Sequence, residues 1–378
     1  MTRLFVDVHI LQTVPPSNIN RDDTGSPKSA VYGGVPRARV SSQSWKRATR
    51  QMFRELLDPA TLGVRTKRVV ALLAERITQL APDITEPEAL AAQVLTAAGI
   101  ELEKKTKRPK NGEPTEEGPE QSKYLLFLSA SQIDRLAKLA IESARTESAI
   151  DKSAARAAGQ GANSIDVALF GRMVADATDL NIDAAAQVAH AISVHTVNNE
   201  FDYFTAVDDR APEDNAGAGM IGLVEFNSST LYRYATVNVD MLRQNLGDDT
   251  ATVRAVETFL TAFIKSMPTG KQNTFANRTL PDAVLISLRT DQPVNLVNAF
   301  EEPVNAAGSA RAVAAAKALV ARYRAIDNAY GNGSAHNFVI AAGDGIAELA
   351  ELAAPAPLPQ VIDAVAARVE AALGESNS

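Results

Sequence analysis

The sequence has no cysteine and only four histidines among its 378 residues. Without cysteine the chain forms no disulfide and no zinc–thiolate site, and it has no thiolate nucleophile. Four scattered histidines do not make a histidine-rich metal centre. No apolar run approaches the roughly 20 residues that a membrane-spanning helix needs, and the N-terminal segment lacks the apolar core of a signal peptide. We therefore expect a cytoplasmic protein that does not contact membranes.

Familiar enzyme motifs are also missing. The chain contains no GxxxxGK[ST], HExxH or GxSxG pattern. The segment GAGMIG at 217–222 only loosely resembles a dinucleotide-binding loop, because no strand–turn–helix surrounds it. His190 and His195 are five residues apart, a poor spacing for one shared metal ion. The sequence predicts no catalytic residue, no metal site and no cofactor.

Charge is unevenly distributed along the chain. The net charge is −7, yet the first 50 residues carry eight Lys and Arg side chains against three Asp. A local basic face on an acidic body is typical of nucleic-acid-binding proteins. The alternative is that these cations cluster by chance. Their positions on the predicted strands and helices have to distinguish the two interpretations.

The N-terminal region predicts two strands and a helix. Apolar residues alternate along 4–11, which is typical of a strand with one buried face. A long Pro-, Asp- and Gly-rich loop follows, and PRARVS then forms a second strand. Hydroxyl residues at 41–44 begin a helix. Its apolar stripe is Trp45, Ala48, Met52 and Leu56.

The rest of the chain reads as a helical block followed by strands and helices. Residues 60–195 are mostly amphipathic with a helical period, including 182–195, and the charged segment 101–123 is expected to be a flexible loop. Residues 197–227 predict a hairpin arm with an acidic tip. Strands at both ends and helices between them predict an α+β fold, a ferredoxin-like sheet with a large helical insertion.

The N-terminal cations fit a phosphate-binding surface. Arg37, Arg39 and Ser41 alternate on the second strand, and Lys46 and Arg50 are four residues apart on the helix. Cations combined with hydroxyl and amide donors are the groups that hold phosphate oxygens. From the pattern alone, a solvated helix face with turn residues is an equally good interpretation.

Two blocks of sequence resemble the CasC family of backbone subunits of type I-E CRISPR Cascade. The first is NINRDDTGSPKSAVYGGVPRARVSSQSWKRATR. The second comprises VALFGRMVAD, AHAISVHTVNNEFDYFTAVDD, SSTLYRYATVNV and GKQNTFANRTLPD in this order. The resemblance covers residues 4–300 and weakens after Phe300.

The resemblance implies a hand-shaped subunit. It places an RNA-recognition-motif-like (ferredoxin-like) palm at 1–58 and 228–354, a helical fingers insertion at 59–196, a β-hairpin thumb at 197–227, and a linker with a C-terminal helix at 355–378. It further implies a non-catalytic protein that oligomerises head to tail along the CRISPR RNA (crRNA) and supports pairing with target DNA in antiviral defence. The implied partners are crRNA, the target DNA strand, further copies of the chain, and the subunits CasA, CasB, CasD and CasE.

Residue by residue, the resemblance and the charge pattern give one set of predicted RNA-binding positions. They are Arg21, Lys28, Arg37, Arg39, Ser41, Gln43, Lys46, Arg50, Met173, Tyr203, Phe204, Thr205 and Lys271. Because the arm is acidic, we expect its aromatic side chains to act as a wedge between unstacked bases rather than through charge. For Tyr203, packing at the root of the hairpin is an equally good interpretation.

A second basic cluster lies in the charged segment. Lys104, Lys105, Lys107 and Arg108 could contact target DNA without sequence preference. A solvated loop beside neighbouring glutamates is the slightly preferred alternative.

Two other functions stay open at this point. One is a metal-dependent subunit of a type III-like complex that cleaves target RNA, with Asp22 or Asp23 in the N-terminal loop. The other is a general single-strand RNA-binding protein with no CRISPR role, which would have no need of the thumb.

Overall fold

The computed structural model describes residues 3–106, 117–206, 220–306, 308–331 and 334–375. The chain divides into two compact units. We call the one that contains the large sheet the sheet unit, and the other the helical unit. The sheet unit comprises 1–52, 187–238 and 256–378, and the helical unit comprises 53–186 and 239–255.

The strands and helices are numbered in chain order. The strands are β1 (Phe5–Ser17), β2 (Ser29–Tyr32), β3 (Val35–Val40), β4 (Gly63–Thr66), β5 (Leu102–Thr106), β6 (Glu117–Ser122), β7 (Leu126–Ser129), β8 (Ala186–Val188), β9 (Ala191–Ser193), β10 (Glu200–Ala206), β11 (Met220–Asn238), β12 (Ala283–Arg289) and β13 (Ser334–Ala341). The helices are α1 (Ser42–Leu56), α2 (Val69–Leu80), α3 (Pro87–Ala97), α4 (Ala130–Arg145), α5 (Lys152–Gly159), α6 (Ile165–Phe170), α7 (Val239–Leu246), α8 (Asp249–Lys265), α9 (Gln272–Phe275), α10 (Arg311–Tyr330) and α11 (Leu358–Glu375). None of the described helices is long and apolar enough to cross a membrane.

The fold is a mixed α+β arrangement with one large antiparallel sheet. Its strand order is β13-β12-β1-β11-β9-β3-β2, and β8 and β10 also pair with β11. The strand β1 lies between β11 and β12 and is antiparallel to both. The strand expected at 4–11 is confirmed as part of β1, but the expectation that only one of its faces is buried is wrong. Almost every residue of β1 is buried, because the strand is central and the sheet is covered on both faces.

The two faces of the sheet have different partners. On one face, the Arg233 guanidinium stacks on Trp45 of α1, with Cζ 3.7 Å from the centre of the indole ring. On the other face, Leu11 and Tyr232 belong to a core that includes Leu319 of α10. Residues alternate between the faces along β1, so Ile10, which is paired with Arg233, lies on the α1 side. This packing fixes the start of α1 on the sheet.

The helical unit has its own apolar core, formed mainly by α2, α3 and α4. Within the segment 101–123, the expected flexible loop is wrong for the residues that the structure describes as strands. The strands β5 and β6 pair there as an antiparallel hairpin, because backbone pairing overrides the weak strand preference of charged residues. Residues 107–116 lie outside the described part of the chain.

The helix expected over 182–195 is wrong. The strand β9 is inserted between β3 and β11 and pairs with both, so Ala191 and Ile192 satisfy their backbone groups in the sheet. An alanine-rich segment favours a helix locally, and the two open sheet edges override this preference. A smaller error concerns Leu56, which is 42% exposed at the end of α1, whereas Phe53 is fully buried.

A buried polar network crosses β1 on its α10 side. Tyr234 donates a hydrogen bond to Asp7 Oδ1 (2.9 Å), and the Val294 backbone N–H donates to Oδ2 (2.8 Å). Burial raises the pKa of Asp7 to about 6 despite these donors. His9 lies beside it, and burial lowers its pKa to about 3. The sheet therefore holds a carboxyl and an imidazole that both prefer the neutral state.

The raised pKa of Asp7 predicts a pH-dependent effect of the substitution Asp7→Asn. Between pH 4 and pH 6 the folded wild type holds a proton that the unfolded chain has released, so its stability falls as the pH rises through this window. An asparagine side chain does not ionise, so the variant does not lose stability in this pH window. We expect its free energy of unfolding, relative to the wild type, to increase by about 3 kcal/mol from pH 4 to pH 7. Urea unfolding at several pH values measures this, and parallel curves would contradict it.

Candidate nucleic-acid interface

The N-terminal loop is a folded turn built around Asp22. Its Oδ1 accepts hydrogen bonds from the backbone N–H groups of Thr24 (2.9 Å) and Ser26 (3.0 Å) and from the Thr24 hydroxyl (2.7 Å). The Thr24 hydroxyl is the main reason that the pKa of Asp22 is lowered. The loop is joined to α1 by Asn20, whose Oδ1 accepts from the Ser41 N–H at 2.8 Å. Arg21 is exposed and Lys28 half-exposed on this ordered turn.

Arg37 is a correction to the predicted RNA-binding set. Its side chain is completely buried and donates to the carbonyls of Tyr32, Ser193, Phe300 and Glu301 at 2.9–3.1 Å. The alternation with Arg39 holds along β3, but the segment around Glu301 covers the strand at Arg37. The β2–β3 turn accepts this cover only because Gly33 has no Cβ, which would lie 1.7 Å from the Glu301 oxygen. Arg37 holds the fold together, and its complete burial keeps it from contacting RNA.

Arg39, Lys28 and His190 form a basic cluster at the C-terminal end of β3. The Arg39 guanidinium donates to the Ser29 carbonyl (3.0 Å) and lies 3.4 Å from His190 Nδ1. Partial burial, together with the positive charges of Arg39 and Lys28, lowers the pKa of His190. The sequence predicts no role for His190, because its spacing from His195 is poor for one shared metal ion.

The start of α1 lies next to this cluster. Ser41 is buried, and its Oγ accepts from the Ser44 N–H (3.3 Å), so it caps the helix as its sequence position predicts. Gln43 is exposed. Lys46 is half-buried, which lowers its pKa, and it has no hydrogen bond or ion pair with any described residue. Arg50, one turn further along, is half-exposed.

The short turn that carries Lys271 packs against the same loop. Gly270 lies so close to the N-terminal loop that a Cβ would be 2.3 Å from the Ile19 oxygen. Lys271 has a left-handed backbone with φ of 50°, which is strained for a residue with a Cβ. Phe275 of α9 contacts Phe226 of β11, with ring centres 5.8 Å apart. The fold thus brings the turn of Lys271 to the loop that carries Arg21 and Lys28.

The strands β10 and β11 form the predicted hairpin arm. Tyr203 and Leu223 are cross-strand neighbours, and with Phe201 they leave one apolar face of the hairpin exposed. On the opposite face, the Phe204 ring lies over Gly222, where a Cβ would be 2.3 Å from the ring. Thr205, the next residue of β10, is also exposed. The acidic tip at 207–219 lies outside the described residues.

Glu225 connects the arm to the N-terminal loop. Its Oε1 accepts from the Ser26 hydroxyl (2.8 Å), and its Oε2 accepts from Asn199 (3.1 Å). The Asn18 amide donates to the Glu225 carbonyl at 2.9 Å. The loop that carries the cations and the arm that carries the aromatic side chains therefore share one set of hydrogen bonds.

The remaining predicted positions lie in the helical unit. Met173 is 84% exposed, and Tyr124 and Leu125 line the same shallow pocket. Lys104 and Lys105 lie on β5, with Lys104 exposed. Lys107 and Arg108 fall outside the described residues. Among the residues described, no three His, Asp or Glu side chains group closely enough to hold a metal ion.

Comparison with known proteins identifies the family. The model of the CT1975-like protein family matches residues 6–364. One similar solved structure, titled "CRISPR RNA-guided surveillance complex, pre-nicking", is 34% identical and has a TM-score of 0.81, with 97% of this chain and 100% of that chain covered. A second, titled "CRISPR RNA-guided surveillance complex", is 30% identical with a TM-score of 0.73, and covers 96% of this chain and 99% of that one. No curated protein matches. The match over almost the whole length shows that this chain belongs to the CT1975-like family.

Proposed function

We propose that this chain is a non-catalytic crRNA-binding backbone subunit of a CRISPR surveillance complex of type I-E. Copies of it assemble head to tail along the guide RNA and support pairing with target DNA in antiviral defence. The observation that carries the proposal is that Lys28 and Arg39 lie together beside the start of α1, the helix that bears Lys46. Its relatives come from complexes whose titles name an RNA guide.

The architecture supports the assignment of parts. The strands β11 and β12 are joined through α8 and lie on either side of β1. This order is compatible with the split arrangement of a ferredoxin-like palm, which we propose for the sheet unit. The helical unit would be the fingers, and the β10–β11 arm would be the thumb. In such complexes, base pairing between guide and target recognises the target sequence. The protein therefore needs contacts with the phosphate backbone of the RNA more than contacts with its bases.

The cations of α1 predict a measurable salt effect. Replacing Lys46 and Arg50 together by alanine removes two phosphate contacts, so the slope of log K against log salt should become shallower by about two units. Affinity at low salt falls accordingly. The measurement is a titration of fluorescent oligouridine at several salt concentrations.

Arg47→Ala with Arg54→Ala is the matched control for this pair. These two exposed side chains lie on the same helix, and their removal changes the net charge by the same amount. The control should keep the wild-type slope. Equal slopes for both double variants would show that the assignment of Lys46 and Arg50 is wrong.

The competing function, cleavage of target RNA, is tested by incubating the assembly with complementary RNA and measuring the length of that RNA. Oδ1 of Asp22 is occupied by hydrogen bonds within its own loop, which favours a structural role for this carboxylate. We expect the purified assembly to leave complementary RNA intact with Mg²⁺ or Mn²⁺, and one guide-length RNA species to co-purify with it. Regular cleavage that Asp22→Ala or Asp23→Ala abolishes would establish the enzyme instead, and co-purifying RNA of mixed lengths would favour a general RNA-binding protein.

A further inference from the structure

His190 lies between β8 and β9, where the sheet holds the backbone on both sides of it. The Ala189 N–H donates to the Tyr234 carbonyl at 2.9 Å, and Ala191 pairs with Val40 of β3. The imidazole itself is exposed. A side chain that a rigid sheet presents in this way is suited to orient its neighbours.

The Nδ1 atom of this imidazole faces two groups that can only donate. The Ser42 backbone N–H, in the first turn of α1, lies 3.3 Å from Nδ1, and Nη1 of Arg39 lies 3.4 Å from it. Neither a backbone N–H nor a guanidinium accepts a hydrogen bond. Nδ1 is therefore the acceptor for both, and the neutral ring carries its proton on Nε2. The lowered pKa of His190, caused by partial burial and by the charges of Arg39 and Lys28, keeps the ring in this neutral form.

The guanidinium of Arg39 is consequently held from two sides. Its Nε donates to the Ser29 carbonyl at 3.0 Å, and its Nη1 donates to His190. Nη2 makes no hydrogen bond or ion pair with any residue that the structure describes, and the side chain is half-exposed. The remaining N–H groups are thus available to a phosphate oxygen. An arginine that is already held in place loses less conformational freedom on binding than one that rotates freely.

We propose that His190 is a positioning residue for RNA, which holds the Arg39 guanidinium through Nδ1 in the orientation that binds a backbone phosphate. The inference rests on the proposed function, in which Arg39 is a phosphate-binding cation, and adds to it a residue that acts through Arg39. The competing role is a direct contact between the exposed Nε2–H and the RNA. Positioning is favoured because both hydrogen bonds of the ring are made by Nδ1.

Two amide substitutions separate these roles. In His190→Asn the amide oxygen takes nearly the place of Nδ1 and can still accept from Arg39, whereas the longer side chain in His190→Gln places its amide near Nε2. The protein is the full chain freed of nucleic acid, and the probe is fluorescent oligouridine. We expect His190→Ala to weaken binding about three- to tenfold, the usual cost of ordering one long side chain. His190→Asn should recover most of this loss, and His190→Gln little of it.

A double-mutant cycle with Arg39→Ala provides the second readout. Because His190 acts through Arg39, adding His190→Ala to Arg39→Ala should weaken binding no further. A direct contact with RNA, or a general disturbance of the structure, would add to the loss instead. His336→Ala is the matched control, since His336 is an exposed histidine in β13 at the far end of the same sheet. It should bind like the wild type.

Four results would overturn the positioning role and leave the proposed function intact. They are wild-type affinity of His190→Ala, wild-type affinity of Arg39→Ala, losses that add in the cycle, and recovery by His190→Gln rather than by His190→Asn. A wild-type chain that does not bind oligouridine would overturn the proposed function, and this inference with it.

Discussion

Replacing Arg37 by alanine should lower the free energy of unfolding by about 3 kcal/mol. The guanidinium is fully buried and donates to four backbone carbonyls from three separate segments of the sheet unit. Its removal leaves those carbonyls buried without donors. Arg37→Lys should lose nearly as much, because one ammonium group cannot reach all four oxygens in place of a planar guanidinium. Urea unfolding at neutral pH measures both.

Arg39→Ala is the control for Arg37, two residues further along the same strand. Arg39 is half-exposed at the edge, so its removal should change stability little but weaken binding of oligouridine. Arg37→Ala should therefore lower the free energy of unfolding, whereas Arg39→Ala should lower the affinity for RNA. If Arg37→Ala is as stable as the wild type and binds RNA less tightly, the structural role given to Arg37 is wrong.

The second large effect is expected at the apolar face of the arm. Changing Phe201 and Leu223 to serine should leave binding of one subunit to a short RNA unchanged but abolish cooperative assembly on a long one. Each added copy gains both RNA contacts and a contact with its neighbour, and such linkage raises avidity by about 10²–10⁴. Sedimentation on RNAs of increasing length measures the loss. Deleting residues 208–219 at the tip should act in the same way.

Exposed apolar residues elsewhere provide the control for the arm. Val31 is 77% exposed in β2, and Tyr330 is exposed at the end of α10. Val31→Ser with Tyr330→Ser removes apolar surface away from the hairpin and should leave assembly intact. If the control abolishes assembly as completely as the arm variant does, general loss of apolar surface explains the effect, and the arm has no special role.

Local periodicity was sufficient for much of the fold. The helix α1, the long strand β11 and the C-terminal helix α11 follow from repeating apolar positions and capping residues. It failed at β9 and at the β5–β6 hairpin, because strand pairing with distant segments decides both. It also missed that β1 is buried on both faces, since His9 and Asp7 are polar and read as solvent-facing. Their network with Tyr232 and Tyr234 shows how polar residues can occupy a core.

The candidate site was only partly predictable for the same reason. The cations Lys28, Arg39 and Lys46 stand out by charge, and the structure brings Lys28 and Arg39 together beside the start of α1. Nothing local distinguishes Arg37 from Arg39, because only the distant segment at Glu301 covers one of them. Glu225 carries no motif, and its role arises from its hydrogen bonds to the N-terminal loop and to Asn199. Polar residues at alternate positions of β11, such as Glu225 and Asn227, were the one available signal.

The most direct test of RNA-guided head-to-tail assembly is particle length by electron microscopy, with and without guide-length RNA. A head-to-tail contact that does not close into a ring gives a helical filament, and the acidic net charge opposes assembly in the absence of RNA. We predict single subunits without RNA, and rods whose length increases in proportion to the RNA supplied. A two-fold symmetric dimer of constant size, formed equally with and without RNA, would contradict the account.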